Sequence, residues 1–218
     1  MKGLLIKDYR LLLAQKTLLA VTVFMGILYL AIYEDPTFAI IFIIMMWGIF
    51  TISTISYDDL DNGLAYLFTL PISRKDYVIE KYVFTILNTL SSGLVMFTGA
   101  CIAVNVRGLP IKLADLGMGL TCGFLVAAII TGCMIPLQIK FDAERSRLVL
   151  ISGMAVIFLA AYFLVKTTKA ETGWGLQFIE MLNRLSNKVI VLLILVLIFV
   201  ITCISCLVTL KIIKKREF

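Results

Sequence analysis

The sequence has no histidine and only four prolines, and Asp, Glu, Lys and Arg together make up 16% of its 218 residues. Without imidazole, metal sites and proton relays built on histidine are excluded. The five cysteines (Cys101, Cys122, Cys133, Cys203 and Cys206) all fall inside apolar runs. Cys203 and Cys206 have CxxC spacing, but a redox pair needs an accessible, polarised thiolate, and nothing beside them supplies one. They read as small packing residues one helical turn apart. The chain also lacks a G-x-x-x-x-G-K-[ST] run, so it has no phosphate-cradling P-loop.

Apolar residues, by contrast, make up 61% of the chain and the mean hydropathy is +1.03. Ordinary globular chains are nearer 45–50% apolar, and a soluble domain of this length could not bury the excess. A membrane crossing needs roughly 17–25 apolar residues to cover about 30 Å of hydrocarbon. Six uncharged runs qualify: residues 17–33, 36–56, 82–106, 116–139, 148–165 and 189–210. The expected fold is all-α, a single polytopic membrane domain over residues 1–218 with six transmembrane helices. The prolines (Pro36, Pro71, Pro110 and Pro136) stand at or near segment ends, where a missing N–H costs least. The net charge of +6 comes from short basic groups beside these runs. That is a pattern of membrane topology and not a nucleic-acid footprint.

Six spans place both ends of the chain on one side. Lys2, Lys7, Arg10 and Lys16 precede the first run, and Lys211, Lys214, Lys215 and Arg216 follow the last. The connection between the first two runs is Glu34-Asp35, with no basic residue. Cytoplasmic termini in a plasma membrane then put fourteen of the twenty basic residues inside, as the positive-inside rule requires. No A-x-A-like site follows the first run, which therefore reads as a retained span and not as a signal peptide. Within residues 1–15, Leu4, Leu5, Tyr9, Leu12 and Leu13 recur at helical spacing against Lys2, Lys7 and Arg10. That pattern predicts an amphipathic interfacial helix on the inner membrane surface.

The most informative stretch is YDDLDNGLAYLFTLPISRKDYVIEKY, residues 57–82. Asp58, Asp59 and Asp61 suit a helix N-terminus. Leu60, Leu64, Leu67 and Phe68 share one face of a short helix. Pro71 ends it, and Ser73 with Asp76 resembles a capping box that starts the next helix. Such a helix either lies on lipid or docks into a partner protein.

This stretch resembles the corresponding loop of ABC-2-type transporter permeases, in which an acidic segment precedes a leucine-proline-I/L-S-R motif. Here the motif reads Leu70-Pro71-Ile72-Ser73-Arg74. The later PLQIKFDAERSRL, residues 136–148, is similar to the family's second cytoplasmic loop, with Asp142 where the family usually has glycine. The resemblance is closest to the small permeases of Gram-positive peptide and toxin exporters, including phenol-soluble modulin exporters. It implies a half-transporter. Two such permease subunits, expected here to be identical and so a homodimer, would receive two copies of a separate ABC ATPase. ATP and Mg would bind there, with no cofactor in this chain and no enzymatic activity of its own. Residues 57–70 would match the family's coupling helix, with Asp58, Asp59, Asp61, Leu64, Leu67, Phe68, Leu70, Pro71 and Arg74 as the ATPase-coupling residues.

The residues themselves agree about the energy source. No Asp, Glu, Lys or Arg stands well inside any run, whereas proton-driven carriers usually place an ionisable group at membrane depth. In the third run Thr85, Asn88, Thr89, Ser92 and Gly99 share one helical side. Thr85, Asn88, Thr89 and Ser92 serve either as a lining of a translocation path or as helix-packing glue. Gly119, Gly123 and Ala127 form a small-xxx-small ladder that allows close helix approach. Before the last run, Trp174, Phe178, Ile179, Leu182 and Leu185 predict an interfacial helix in the outer leaflet. The expected function is the membrane subunit of an ATP-driven exporter of hydrophobic or amphipathic substrates, peptides foremost, in contact with membrane lipid. The alternative is a non-transporting immunity or sensor protein that sequesters a toxic peptide.

Overall fold

The computed structural model describes residues 2–60, 63–141, 148 and 186–215. Among them the chain forms seven helices and no strand: α1 (Lys2–Ala14), α2 (Lys16–Ile32), α3 (Thr37–Asp59), α4 (Gly63–Leu67), α5 (Arg74–Arg107), α6 (Leu113–Lys140) and α7 (Asn187–Lys215). Four of them (α3, α5, α6 and α7) are each long and apolar enough to cross a membrane, and α1 with α2 makes a fifth candidate, bent by 71°. The chain is thus an all-helical, multi-pass membrane protein. All of the expected run 148–165 but Leu148, and the helix around Trp174, lie outside the described residues.

Local sequence sets the ends of these helices. Pro36 takes the N-cap position of α3, and the Asp35 carboxylate accepts from the Thr37 N–H at 2.9 Å. At the start of α5 the Ser73 hydroxyl accepts from the Asp76 N–H at 3.0 Å and donates to the Asp76 carboxylate at 2.7 Å. This is the capping pair that the sequence predicts. Gly108, in the left-handed region at φ 63°, closes the same helix. Next to it Arg107 donates to the carbonyls of Leu30 and Tyr33 at 2.7 and 2.6 Å. These groups belong to the C-terminal end of α2, where orphan acceptors favour a cation. With 34 residues, α5 extends for about 51 Å, against roughly 30 Å of hydrocarbon, so it overhangs the membrane.

α3 is the central helix, flanked by α1, α2, α5 and α6, and α7 packs along α6. Small residues bring α3 and α6 together. A Cβ on Gly119 would lie 2.5 Å from Thr37 Cγ2, and one on Gly123 would lie 2.9 Å from Ile44 Cδ1 and 3.2 Å from Ile41 Cα. The ladder read from the sequence is therefore a close-packing seam. α6 carries Pro136 inside its last two turns. A proline there leaves the carbonyl four residues earlier, that of Gly132, without its helical donor. The Ser205 hydroxyl of α7 donates to that carbonyl at 2.6 Å. Tyr82 of α5 reaches the same place, 2.5 Å from Ser205 Oγ and 2.9 Å from Thr209 Oγ1. One proline-freed acceptor thus ties three helices.

Candidate functional site

The segment that joins α3 to α5 folds back onto one end of the bundle. α3 runs on through Asp58 and Asp59, so these residues close a helix and do not open one as the sequence suggested. The hydropathy of the preceding run carries the helix through its charged end. Leu60 leaves the helix in an extended conformation and is 57% exposed, so it does not share a face with Leu64. Asp61 lies outside the described residues.

In α4, Leu64 is buried, while Leu67 and Phe68 pack half-buried on the same cluster, which includes Ile55, Tyr77, Val78, Ile139 and Ile213. The Phe68 ring meets the Tyr77 ring edge-on at 5.8 Å, and the Arg74 guanidinium stands 5.9 Å from its centre. Arg74 also donates to the Ile213 carbonyl at 3.3 Å, joining this segment to the end of α7. The apolar stripe expected to fill a partner's groove is therefore packed on its own chain. Periodicity identified the face but not what covers it. Facing outward are Tyr66, 72% exposed, with Leu60, Leu70 and Pro71.

Beside α4 lies a buried ionic cluster that the sequence reading missed. Lys81 of α5 is fully buried, in contact with the Asp8 carboxylate of α1 and 2.8 Å from the Asp58 carboxylate of α3. Lys7 sits 2.5 Å from the other Asp58 oxygen and 3.3 Å from Asp8. Neutral donors complete the set: Tyr77 OH donates to Asp58 at 3.2 Å, and Thr54 Oγ1 donates to Asp8 at 3.3 Å. Burying a charge is expensive unless it is paired and hydrogen-bonded, and Lys81, Asp8, Asp58 and Lys7 each have at least one partner of opposite sign. The cluster clamps α1 to α3 and α5 at the root of the α4 segment. A signal was present in the sequence, because Asp8 falls midway between Leu4 and Leu12 and so shares their buried face. α1 therefore buries a stripe of Leu4, Asp8 and Leu12, while Tyr9 and Leu13 of the expected stripe are exposed.

Thr85, Asn88, Thr89 and Ser92 are all buried. Their hydroxyls turn back to their own helix: Thr85 to the Lys81 carbonyl, Thr89 to that of Thr85, and Ser92 to that of Thr89. Asn88 instead bridges helices, its amide donating to the Trp47 carbonyl of α3 at 2.8 Å. Thr85 and Thr89 also border a cavity of about 160 Å³ among α5, α6 and α7, with Thr131 and Thr202. Among the described residues no group of His, Cys, Asp or Glu is arranged to hold a metal ion.

A family model described as ABC-2 family transporter protein matches residues 3–214, nearly the full length. No match was found among curated proteins or among solved structures.

Proposed function

This chain belongs to the ABC-2 transporter family, and on that premise we propose that it is the membrane-spanning permease subunit of an exporter powered by a separate ATPase. Its cargo is hydrophobic or amphipathic, peptides foremost. Two ATPase copies hold ATP and Mg, and a second copy of this chain completes the membrane part. The chain crosses the plasma membrane six times, with residues 57–81 on the cytoplasmic side, an orientation supported by the bias of basic residues. The observation that carries the reading is the family match along residues 3–214.

The cytoplasmic segment supplies the coupling contact. Leu64, Leu67 and Phe68 anchor it to the bundle, and Arg74 fastens it to α7. Tyr66, Leu60, Leu70 and Pro71 present the outward surface to the ATPase, with Asp59 at the end of α3 before them. An amphipathic ring such as Tyr66 suits an interface anchor. Asp58 acts inside the chain, passing displacement of the segment to α1 and α5 through its lysine partners. The cavity at Thr85 and Thr89 is well below the roughly 300–1,000 Å³ of a small-ligand site. Peptides therefore pass between two copies of the chain, and Asn88, the one of Thr85, Asn88, Thr89 and Ser92 that bridges helices, ties α5 to α3.

Co-expression with the partner ABC ATPase tests this reading. The wild-type pair should co-purify and show peptide-stimulated ATP hydrolysis, while Tyr66→Asp should lose co-purification and still reach normal membrane levels. Undiminished co-purification by Tyr66→Asp would remove the coupling role from α4. Peptide binding by the chain with no ATPase in the complex would favour sequestration instead.

A further inference from the structure

α1 and α5 border a groove of about 690 Å³. One wall carries Leu5, Tyr9 and Leu13 of α1, and the other Phe84 and Leu87 of α5, with Ser91 at its far end. Tyr9, Leu13 and Leu87 are each roughly half exposed, so the groove is open along its length. Arg10 stands on its edge and also borders a neighbouring cleft with Gly3 and Lys7. Among the described residues, Arg10 makes no ion pair. The one acidic residue of its helix, Asp8, is committed to Lys81 and Lys7. Among the described residues, then, α1 offers a guanidinium without an ion-pair partner beside an apolar channel.

Depth identifies the occupant. From Tyr82, where the uncharged run begins, Ser91 is about 14 Å along α5, within one leaflet of a core about 30 Å thick. The groove therefore opens to the leaflet on the α4 side, with its cation near the level of the headgroups and its apolar walls at acyl-chain depth. Guanidinium is suited to phosphate, which it binds through paired, charge-assisted donors.

We infer that this groove is a binding site for an anionic phospholipid, whose phosphate pairs with Arg10 and whose acyl chain lies between Leu5, Leu13, Phe84 and Leu87. The bound lipid fills the gap that the cluster at Asp8 and Lys81 leaves between α1 and α5. It makes the seating of α1 depend on the charge of the surrounding membrane. The inference needs only the membrane setting and does not depend on which cargo the chain moves.

The test uses the full chain in phosphatidylcholine nanodiscs with phosphatidylglycerol bearing a photoreactive group on its acyl chain. Crosslinks are expected in peptides containing residues 5–13 and 84–91. Unlabelled phosphatidylglycerol should suppress them and phosphatidylcholine should not. Arg10→Gln should weaken binding of the probe by about tenfold, the loss of about 1.4 kcal/mol expected for one charge-assisted contact. Arg10→Lys, which keeps the charge but not the paired donors, should bind between the wild type and Arg10→Gln. Because Arg10 is exposed, both variants should melt with the wild type. Equal suppression by phosphatidylcholine, or unchanged labelling of Arg10→Gln, would overturn the site. Displacement of the probe by an amphipathic peptide would make the groove a cargo site and likewise sink the lipid assignment.

Discussion

Replacing Lys81 by methionine should unseat α1 from the bundle. Methionine keeps most of the apolar stem and its volume, so the change isolates the ammonium. In the native protein that ammonium contacts the Asp8 carboxylate, stands 2.8 Å from Asp58 and donates to Thr54 Oγ1 at 3.2 Å. After the substitution Asp58 keeps Lys7 at 2.5 Å and Tyr77 at 3.2 Å. Asp8, fully buried, keeps only the Thr54 hydroxyl at 3.3 Å and a Lys7 ammonium at 3.3 Å that is not aligned for a hydrogen bond. Stripping one partner from a buried pair costs about 3–5 kcal/mol. For a chain of this size that corresponds to a fall in melting temperature on the order of 10 °C. Thermal unfolding of the purified chain in detergent measures it. The pairing account also demands a rescue: Asp8→Asn combined with Lys81→Met should melt above Lys81→Met alone, since it removes the stranded charge. A single variant as stable as the wild type, or a double variant no better than the single, would refute the reasoning.

Two further substitutions probe the helix seams. Gly123→Val places a branched side chain where Ile41 Cα stands 3.2 Å from the new Cβ, and it should cost about 1–3 kcal/mol in the same melting assay as α3 and α6 separate. Ser205→Ala removes the donor to the Gly132 carbonyl and a partner of Tyr82, for a loss of about 1–2 kcal/mol. Adding Pro136→Ala should recover part of that loss, because an alanine N–H refills the carbonyl from within α6.

Hydropathy made the long helices legible, because each spanning helix must keep its backbone bonded internally and its side chains apolar. The same signal hid the charged ends of those helices. The start of α5 at Arg74, two turns before the uncharged run, was legible only from the Ser73–Asp76 capping pair, and nothing in the run showed that Lys81 faces inward. Sequence spacing also revealed that Leu64, Leu67 and Phe68 share a face. What they touch is a tertiary matter, decided by Ile55, Tyr77 and Ile213 from three other helices. The hydrogen-bond partners of Asp8 stand 46 and 73 residues away, at Thr54 and Lys81, beyond the reach of any local pattern. The polar side of α5 was visible as a stripe. That its hydroxyls satisfy their own backbone follows from serine and threonine rotamers in a helix, a choice that spacing does not encode.

The distance along the chain between Asp8 and Lys81 has a consequence for biogenesis. The protein is made from its N-terminus, so Asp8 emerges well before the lysine that neutralises it. At about 5–20 residues per second, the intervening 73 residues take on the order of ten seconds to synthesise. During that interval Asp8 remains hydrated, and α1 cannot take its final seat. The first turns of α5 have to be delivered on the same side of the membrane as α1 for the two to meet. An α5 threaded in the opposite direction would strand Lys81 away from both aspartates, and α1 would stay undocked. The ionic clamp therefore acts as a check on topology during synthesis, because it closes only around a chain whose first three membrane segments have been inserted in the right sense.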